Sequence, residues 1–197
     1  DPAPEPRDYA CGTATYDGHD GTDFRLRTTR EAEQGVAVLA AAAGTVTAGR
    51  DGMADVLRRT PEDLGRISDR ECGNGVVIDH GDGWETQYCH LARGSIQVKV
   101  GDRVVAGAPI ARVGLSGATE FPHLHLAVRQ QGQVVDPFAP DMKARCGPQT
   151  GLWTPGARAQ MPYKAGAVLN AGFTETQFGM GDLEVGRLPP ASAASPA

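Results

Sequence analysis

The sequence predicts a β-hairpin between residues 75 and 91. Gly75–His80 and Trp84–Leu91 are rich in β-branched and aromatic residues, which favour strands. The glycine-flanked aspartate of Gly81–Gly83 is typical of the tight turn that joins two antiparallel strands. The fold is therefore predicted to contain an antiparallel sheet.

Other short segments with strand character follow one another closely along the chain. They are Val36–Ala40, Gly44–Ala48, Ile96–Val100, Val104–Val105, Ile110–Val113 and His123–Arg129, the last of which ends near Val134–Pro137. The chain contains 26 glycines and 14 prolines but only 6% aromatic residues, which favours short strands and many turns over long helices. The sequence thus predicts a mainly β fold, a small antiparallel β-barrel or sandwich.

Changes in composition divide the chain into a proline-rich tail (1–15), a main domain (16–140) and a C-terminal extension (141–197). Residues 50–72 of the domain carry 11 charged residues, which predicts a surface insertion with at most one helical turn near Pro61–Leu64. The insertion is either a solvated loop or a wall of a substrate groove. The extension has strand-like segments at 167–169, 172–174 and 183–185, so it is either a flexible tail or the start of a second β domain.

Charge and hydropathy exclude two classes of partner. With 19 Lys and Arg against 24 Asp and Glu, the net charge of −5 is unsuited to a general nucleic-acid binder. The longest apolar run, Val36–Ala43, is too short for a transmembrane segment. The chain opens on Asp-Pro-Ala-Pro, which predicts a mature exported protein whose signal peptide has been removed, the alternative being an arbitrary cut.

The four cysteines allow three sets of disulfide pairings, and no two of them lie close together in the sequence, as in a C-x-x-C motif. We favour Cys11 with Cys146, which bracket the ordered-looking core, and Cys72 with Cys89, which bracket the predicted hairpin. Two disulfides predict an oxidising compartment, hence a periplasmic or secreted protein. The alternative is a cytosolic protein with four reduced thiols.

The spacing of the histidines indicates a site on one face of the sheet. His123 and His125 stand two residues apart on a predicted strand, so both project from the same face while Leu124 and Leu126 turn to the core. His90 lies on a second strand, and a glycine-containing turn allows His19 to approach Asp23. A zinc hydrolase takes three ligands of the His and Asp type, and further imidazoles act as general base or oxyanion donor.

Taken together, these patterns resemble the lysostaphin/LytM-type zinc endopeptidases, which cut peptidoglycan cross-links. The resemblance covers residues 17–138. Its motifs are His19-x-x-x-Asp23, Ala41–Val46, Gly73–Gly83, Tyr88-x-His90-Leu91, Val100-Gly101-Asp102-x-Val104, Gly114-x-Ser116-Gly117 and Pro122–Leu126. It implies a small antiparallel β-sheet, barrel-like and open to a groove. It also implies zinc as cofactor and peptidoglycan as substrate, with glycine bridges and direct cross-links both open.

The resemblance also assigns roles to five residues. It implies that His19, Asp23 and His125 are the metal ligands and that His90 and His123 are catalytic. One of these two histidines would activate the attacking water and the other would stabilise the developing oxyanion, in an order that is left open.

Strand alternation gives expectations for the neighbours of His90. It sends the Cys89 side chain to the face opposite His90, which makes a thiol nucleophile or zinc thiolate improbable there. It places Tyr88 on the His90 face, where packing is the favoured role. His80, at the hairpin turn, is expected to be structural, whereas Asn74 and Ser116 are candidates for lining the groove.

Two other functions are open to a chain with this pattern. Relatives that have lost the zinc residues activate cell-wall amidases, so a regulator with a protein partner is the main alternative. The presence of all five residues favours an enzyme, although the insertion or the extension could cover the groove. Val98–Gly107 resembles a biotinyl or lipoyl carrier hairpin, but the Met142-Lys143 pair lies outside it, which favours shared architecture only.

Overall fold

The computed structural model of the chain describes residues 6–58, 60–141, 146–147 and 149–164. Its described part is mainly β, with antiparallel sheets and three short helices. The strands are β1 (Thr22–Arg25), β2 (Ala37–Leu39), β3 (Gly44–Arg50), β4 (Asn74–Gly81), β5 (Trp84–Leu91), β6 (Arg103–Val104), β7 (Pro109–Arg112), β8 (His123–Gln130) and β9 (Gln133–Val134). The predicted fold class is confirmed.

Seven strands form the main sheet in the order β1-β8-β5-β4-β3-β6, with β9 paired to β8. Strands β2 and β7 pair separately. Apolar side chains from both sheets, among them Val38, Ile78, Tyr88, Leu91 and Ile110, are almost completely buried in one cluster. The core thus lies on one face of the main sheet and leaves part of the other face free for a site.

The three helices are single turns that begin at threonine caps. They are α1 (Thr29–Glu33), α2 (Pro61–Gly65) and α3 (Pro155–Gln160). In α2 the Thr60 hydroxyl accepts a hydrogen bond from the backbone N–H of Asp63 at 3.1 Å, and a proline follows the cap. Both features favour a helix start, so the turn predicted near Pro61 is confirmed. Helices α1 and α3 were not predicted.

One strand prediction is wrong. The described structure has no strand at Ile96–Val100, although Ile96 and Val98 pack against the core. The backbone N–H of Gln97 bonds to Ile110, but that of Lys99 bonds to the side chain of Asp102 in a turn. The alternation of apolar residues in Ile96–Val100 therefore reflects packing against the core and not a continuous series of hydrogen bonds to a neighbouring strand.

Two disulfides join Cys11 to Cys146 and Cys72 to Cys89, the pairings that the sequence favours. Near the first, the ring of Tyr9 stacks on Phe138 with centroids 4.7 Å apart. The N-terminal tail is therefore packed onto the domain from Tyr9 onward. The strand-like segments predicted at 167–169, 172–174 and 183–185 lie outside the described residues.

None of the helices in the described ranges combines the length and the apolarity that a membrane crossing requires.

Candidate metal centre

The candidate site is built where β1 pairs with β8. In this antiparallel register Asp23 lies directly opposite His125, and Arg25 lies opposite His123. Residues directly opposite one another project from the same face of a sheet. Leu126 turns to the other face and is buried in the core, as predicted. The pairing therefore presents a carboxylate and two imidazoles together.

His19, Asp23 and His125 form a cluster whose ligand atoms all lie within 4.8 Å of one another. Asp23 Oδ1 lies 3.2 Å from His19 Nε2 and 2.9 Å from His125 Nδ1. A tetrahedral zinc site with bonds of about 2.0–2.1 Å has its ligand atoms about 3.3 Å apart. His19 Nε2 is buried, and Asp23 Oδ1 is its close polar neighbour. The donor set fits a divalent metal ion.

The carboxylate controls the electrostatics of this cluster. Although burial opposes it, the adjacent imidazoles of His125 and His19 hold the pKa of Asp23 well below its usual range. The Asp23 carboxylate in turn raises the pKa of His19, against the effect of burial. A negatively charged group in a partly buried site favours a cation there.

His90 reaches the site because its backbone leaves the strand conformation. Its φ is +59°, in the left-handed region that residues other than glycine rarely adopt. The ring of His90 lies 4.5 Å from that of His123 and 6.0 Å from that of His125, measured between centroids. The structure thus brings both predicted catalytic histidines beside the cluster of His19, Asp23 and His125.

The predicted alternation around His90 is wrong for the same reason. Cys89 lies opposite His125 in the β5–β8 register and therefore on the site face, whereas Tyr88 lies opposite Leu126 on the core face. The Tyr88 hydroxyl accepts hydrogen bonds from the backbone N–H of Ala41 and from the Thr86 hydroxyl. Packing is thus the role of Tyr88, but in the core. Cys89 is bonded to Cys72 and has no free thiol.

Backbone carbonyls fix the tautomers of the two catalytic candidates. His90 Nδ1 lies 2.8 Å from the carbonyl of Ser116, and His123 Nδ1 lies 2.8 Å from that of Phe121. A carbonyl only accepts, so each Nδ1 carries the proton and each Nε2 is free to accept one. Burial and the neighbouring His123 lower the pKa of His90 to about 4, and burial lowers the pKa of His123.

Three further sequence expectations have clear outcomes. His80 is structural, as expected, because its ring nitrogens bond to the Ala43 carbonyl and the Thr86 hydroxyl. The expectation that Asn74 and Ser116 line the groove is wrong, since both are completely buried. The Ser116 hydroxyl accepts from the Asn74 backbone N–H and donates to the Leu91 carbonyl, which anchors the loop whose carbonyl holds His90.

Two neighbours of the cluster were missed in the sequence. Tyr16, 62% exposed, stacks on the ring of His19 with centroids 4.6 Å apart. Asp20 Oδ1 lies 3.2 Å from His125 Nε2, the ring nitrogen that faces away from Asp23. In the sequence, Asp20 stands out only by its position next to His19. The sequence pattern gives no reason to pair Asp20 with His125, which lies 105 positions later.

The charged insertion borders the same sheet face. A cavity of about 350 Å³ is lined by sheet residues, among them Arg50, Val77 and Gln87, and by Asp69 and Glu71 of the insertion. Gln87 stands two residues before Cys89 on β5, so it shares the site face. The insertion is also anchored, since the Asp55 carboxylate accepts from the backbone N–H groups of Arg93 and Leu115. Part of it therefore forms a wall of a cavity on the sheet face that also carries the site.

Comparison with known proteins gives similarities along the same stretch of chain. The sequence model of peptidase family M23 matches residues 17–137. Murein hydrolase activator EnvC of Escherichia coli K12 is 45% identical over 62 residues, which are 32% of this chain and 14% of that protein. Peptidoglycan DD-endopeptidase ShyB of Vibrio cholerae is 35% identical over 92 residues, 47% of this chain and 19% of that protein.

Among solved structures, the catalytic domain of the prophage-encoded M23 protein EnpA from Enterococcus faecalis is 26% identical, with a TM-score of 0.47. The match covers 68% of this chain and 87% of that chain. The chain spans less than a fifth of the length of EnvC and ShyB.

Proposed function

The chain belongs to peptidase family M23, and from this premise we propose that it is a zinc-dependent endopeptidase that hydrolyses the peptide cross-links of bacterial peptidoglycan. The observation that carries the proposal is the convergence of five side chains from three separate stretches of sequence on one sheet face. They are His19, Asp23, His90, His123 and His125. The relative ShyB is a peptidoglycan DD-endopeptidase, which supports this substrate class.

In this proposal His19, Asp23 and His125 hold the zinc ion. A zinc ion in that position would polarise the carbonyl of the scissile bond and lower the pKa of water towards neutrality. The protein contributes a carboxylate that stays ionised, since the pKa of Asp23 is held low by its imidazole neighbours against burial. It also contributes a nearly preformed cage, with 2.9 and 3.2 Å between Asp23 and the two imidazole nitrogens.

His90 and His123 supply the proton transfer. Each presents an unprotonated Nε2, because its Nδ1–H is held by a backbone carbonyl. One of them accepts a proton from the attacking water at Nε2 and delivers it to the leaving amine. With ring centroids 4.5 Å apart, a positive charge on one ring disfavours a positive charge on the other, so the pair takes up one additional proton at a time, at the Nε2 of one ring. Only the ring that holds this proton donates to an oxyanion.

Activation of a cell-wall amidase is the second candidate. It is favoured by the local identity with EnvC, a murein hydrolase activator. In that case the chain would act through a protein partner, and peptidoglycan would be its location and not its substrate. The presence of all five site residues favours the enzyme.

Digestion of purified sacculi separates the two candidates. We expect the wild type to release cleaved cross-links, detected by mass spectrometry of the soluble fragments, and His123→Ala and His125→Ala to release none. His80→Gln is the matched control, because His80 lies outside the site and should leave cleavage intact. No cleavage by the zinc-loaded wild type, together with stimulation of an added amidase, would reject the enzyme in favour of the regulator.

We also propose a periplasmic or secreted location. The substrate lies outside the cytoplasm, and the two disulfides are typical of proteins that fold in an oxidising compartment. Cell fractionation with an antibody against the chain tests this directly. Recovery of the chain in the cytosol with all four cysteines reactive to a thiol reagent would contradict it.

A further inference from the structure

We propose that Asp20 is a positioning residue for the metal centre, which fixes the tautomer and orientation of His125. The inference rests on the metal site of the proposed function. Asp20 Oδ1 lies 3.2 Å from His125 Nε2, while the other ring nitrogen, Nδ1, lies 2.9 Å from Asp23. The two carboxylates therefore lie at the two opposite nitrogens of the imidazole, and only one of them accepts its single N–H.

Asp20 is placed to orient the ring and not to bind the metal. The atoms that converge as a cage are those of His19, Asp23 and His125, and Asp20 is not among them. A histidine that binds a metal through one ring nitrogen donates its other ring N–H to an oxygen, commonly that of a carboxylate. With Nε2–H donated to Asp20, the lone pair of His125 is on Nδ1, which faces Asp23.

Gly21 makes this approach possible. A Cβ at position 21 would lie 2.5 Å from His125 Nε2 and 2.8 Å from the Leu126 carbonyl, both closer than a real Cβ is found. The loop between His19 and β1 therefore passes directly over the edge of the His125 ring. Glycine at this position is required for Asp20, the residue before it, to reach that edge.

Asp20 is itself held in place by Arg129. Asp20 Oδ2 lies 3.6 Å from Nη2 of Arg129, whose Nη1 lies 3.5 Å from Glu85 Oε1. Arg129 stands four residues after His125 on β8 and projects from the same face. Asp20 is 52% exposed and would be free to rotate on its loop without such a contact. A chain of contacts thus runs from Glu85 through Arg129 and Asp20 to the metal ligand.

The consequence is a measurable loss of metal affinity when the carboxylate is removed. Changes in residues that orient metal-binding histidines typically cost 10–100-fold in affinity. We expect Asp20→Ala to lower zinc affinity by about this factor. Asp20→Asn keeps an acceptor oxygen but loses the charge and the pairing with Arg129, so its loss should be smaller. Arg129→Gln leaves Asp20 in place but less restrained, and a loss of a fewfold is expected.

Zinc affinity is measured by competition with a chromogenic chelator on the whole disulfide-bonded chain, with zinc as the only added ligand. Asp17→Asn is the matched control, since it removes one exposed negative charge from the same loop, two residues before His19. Long-range ¹H–¹⁵N NMR of the zinc-loaded protein gives a second readout. The wild type should show a proton on His125 Nε2, and this proton should exchange faster with water in Asp20→Ala.

A zinc affinity of Asp20→Ala within threefold of the wild type would overturn the inference. Equal losses for Asp20→Asn and Asp17→Asn would also overturn it, because the effect would then be one of net charge. The result is independent of catalysis: a wild type that binds zinc but leaves sacculi intact would reject the endopeptidase and leave this inference standing. A wild type that does not bind zinc would reject both.

Discussion

The disulfide between Cys72 and Cys89 offers a quantitative test of how the site is held together. Cys89 is almost completely buried and lies opposite His125, and the next residue is His90. The backbone N–H of His90 also bonds to the carbonyl of Cys72 at 2.8 Å. The bridge therefore ties the end of the charged insertion to the strand that carries a candidate catalytic histidine. Replacing both cysteines by alanine removes the link without leaving a buried thiol.

The expected cost follows from the length of chain that each bridge closes. The Cys72–Cys89 bridge spans 17 residues, and the loss of chain entropy in the unfolded state corresponds to about 3 kcal/mol. The Cys11–Cys146 bridge spans 135 residues, for which the same relation gives about 5 kcal/mol. The two double alanine variants should therefore differ in free energy of unfolding by about 2 kcal/mol, with the larger loss for Cys11 and Cys146.

Urea unfolding followed by far-UV circular dichroism measures both losses. For the Cys72→Ala/Cys89→Ala variant, a loss of 3 kcal/mol corresponds to a fall in Tm of about 6–12 °C. The wild type treated with reductant provides a control that keeps the native side chains. Equal losses for the two double variants, or a larger loss for the shorter bridge, would refute the chain-entropy argument and would indicate that local packing sets the contribution.

Three other changes test separate parts of the structure. Tyr88→Phe removes the hydroxyl that accepts the Ala41 N–H, and the free energy of unfolding measured in urea should fall by about 1–3 kcal/mol; an unchanged value would mean that water replaces the hydroxyl. Gly21→Ala should weaken zinc binding in the chelator assay, because its Cβ would lie 2.5 Å from His125 Nε2; wild-type affinity would show that the loop can move aside. Although burial opposes it, backbone hydrogen bonds and a tyrosine hydroxyl lower the pKa of Asp8 in the folded protein. The ionised carboxylate should therefore stabilise the folded tail fully above about pH 4, and this stabilisation should be lost as the pH falls through the lowered pKa of Asp8 in the folded state. Hydrogen exchange of the tail amides should show this acid dependence and should lose it in Asp8→Ala.

The parts of the fold that were predictable are those governed by local pattern. The hairpin of β4 and β5 follows from strand-forming residues on either side of a glycine-rich turn, and the shared face of His123 and His125 follows from the period of two on β8. β1 was not predicted, because Thr22–Arg25 is a strand only through its pairing with β8, a contact about a hundred residues away in sequence. Short segments stabilised by such distant contacts carry little signal of their own.

The site itself depends on a residue at which the local rule fails. Regular alternation on β5 would have put His90 on the core face with Tyr88, away from His123. Its φ of +59° breaks the alternation and turns the ring to within 4.5 Å of His123. Left-handed backbone at a non-glycine residue costs of order 1–3 kcal/mol and persists only where its surroundings enforce it. Here the Cys72 carbonyl accepts a hydrogen bond from the backbone N–H of His90, and the Ser116 carbonyl accepts one from its ring. Residues far apart in sequence therefore fix a conformation that could not be predicted from the sequence around His90.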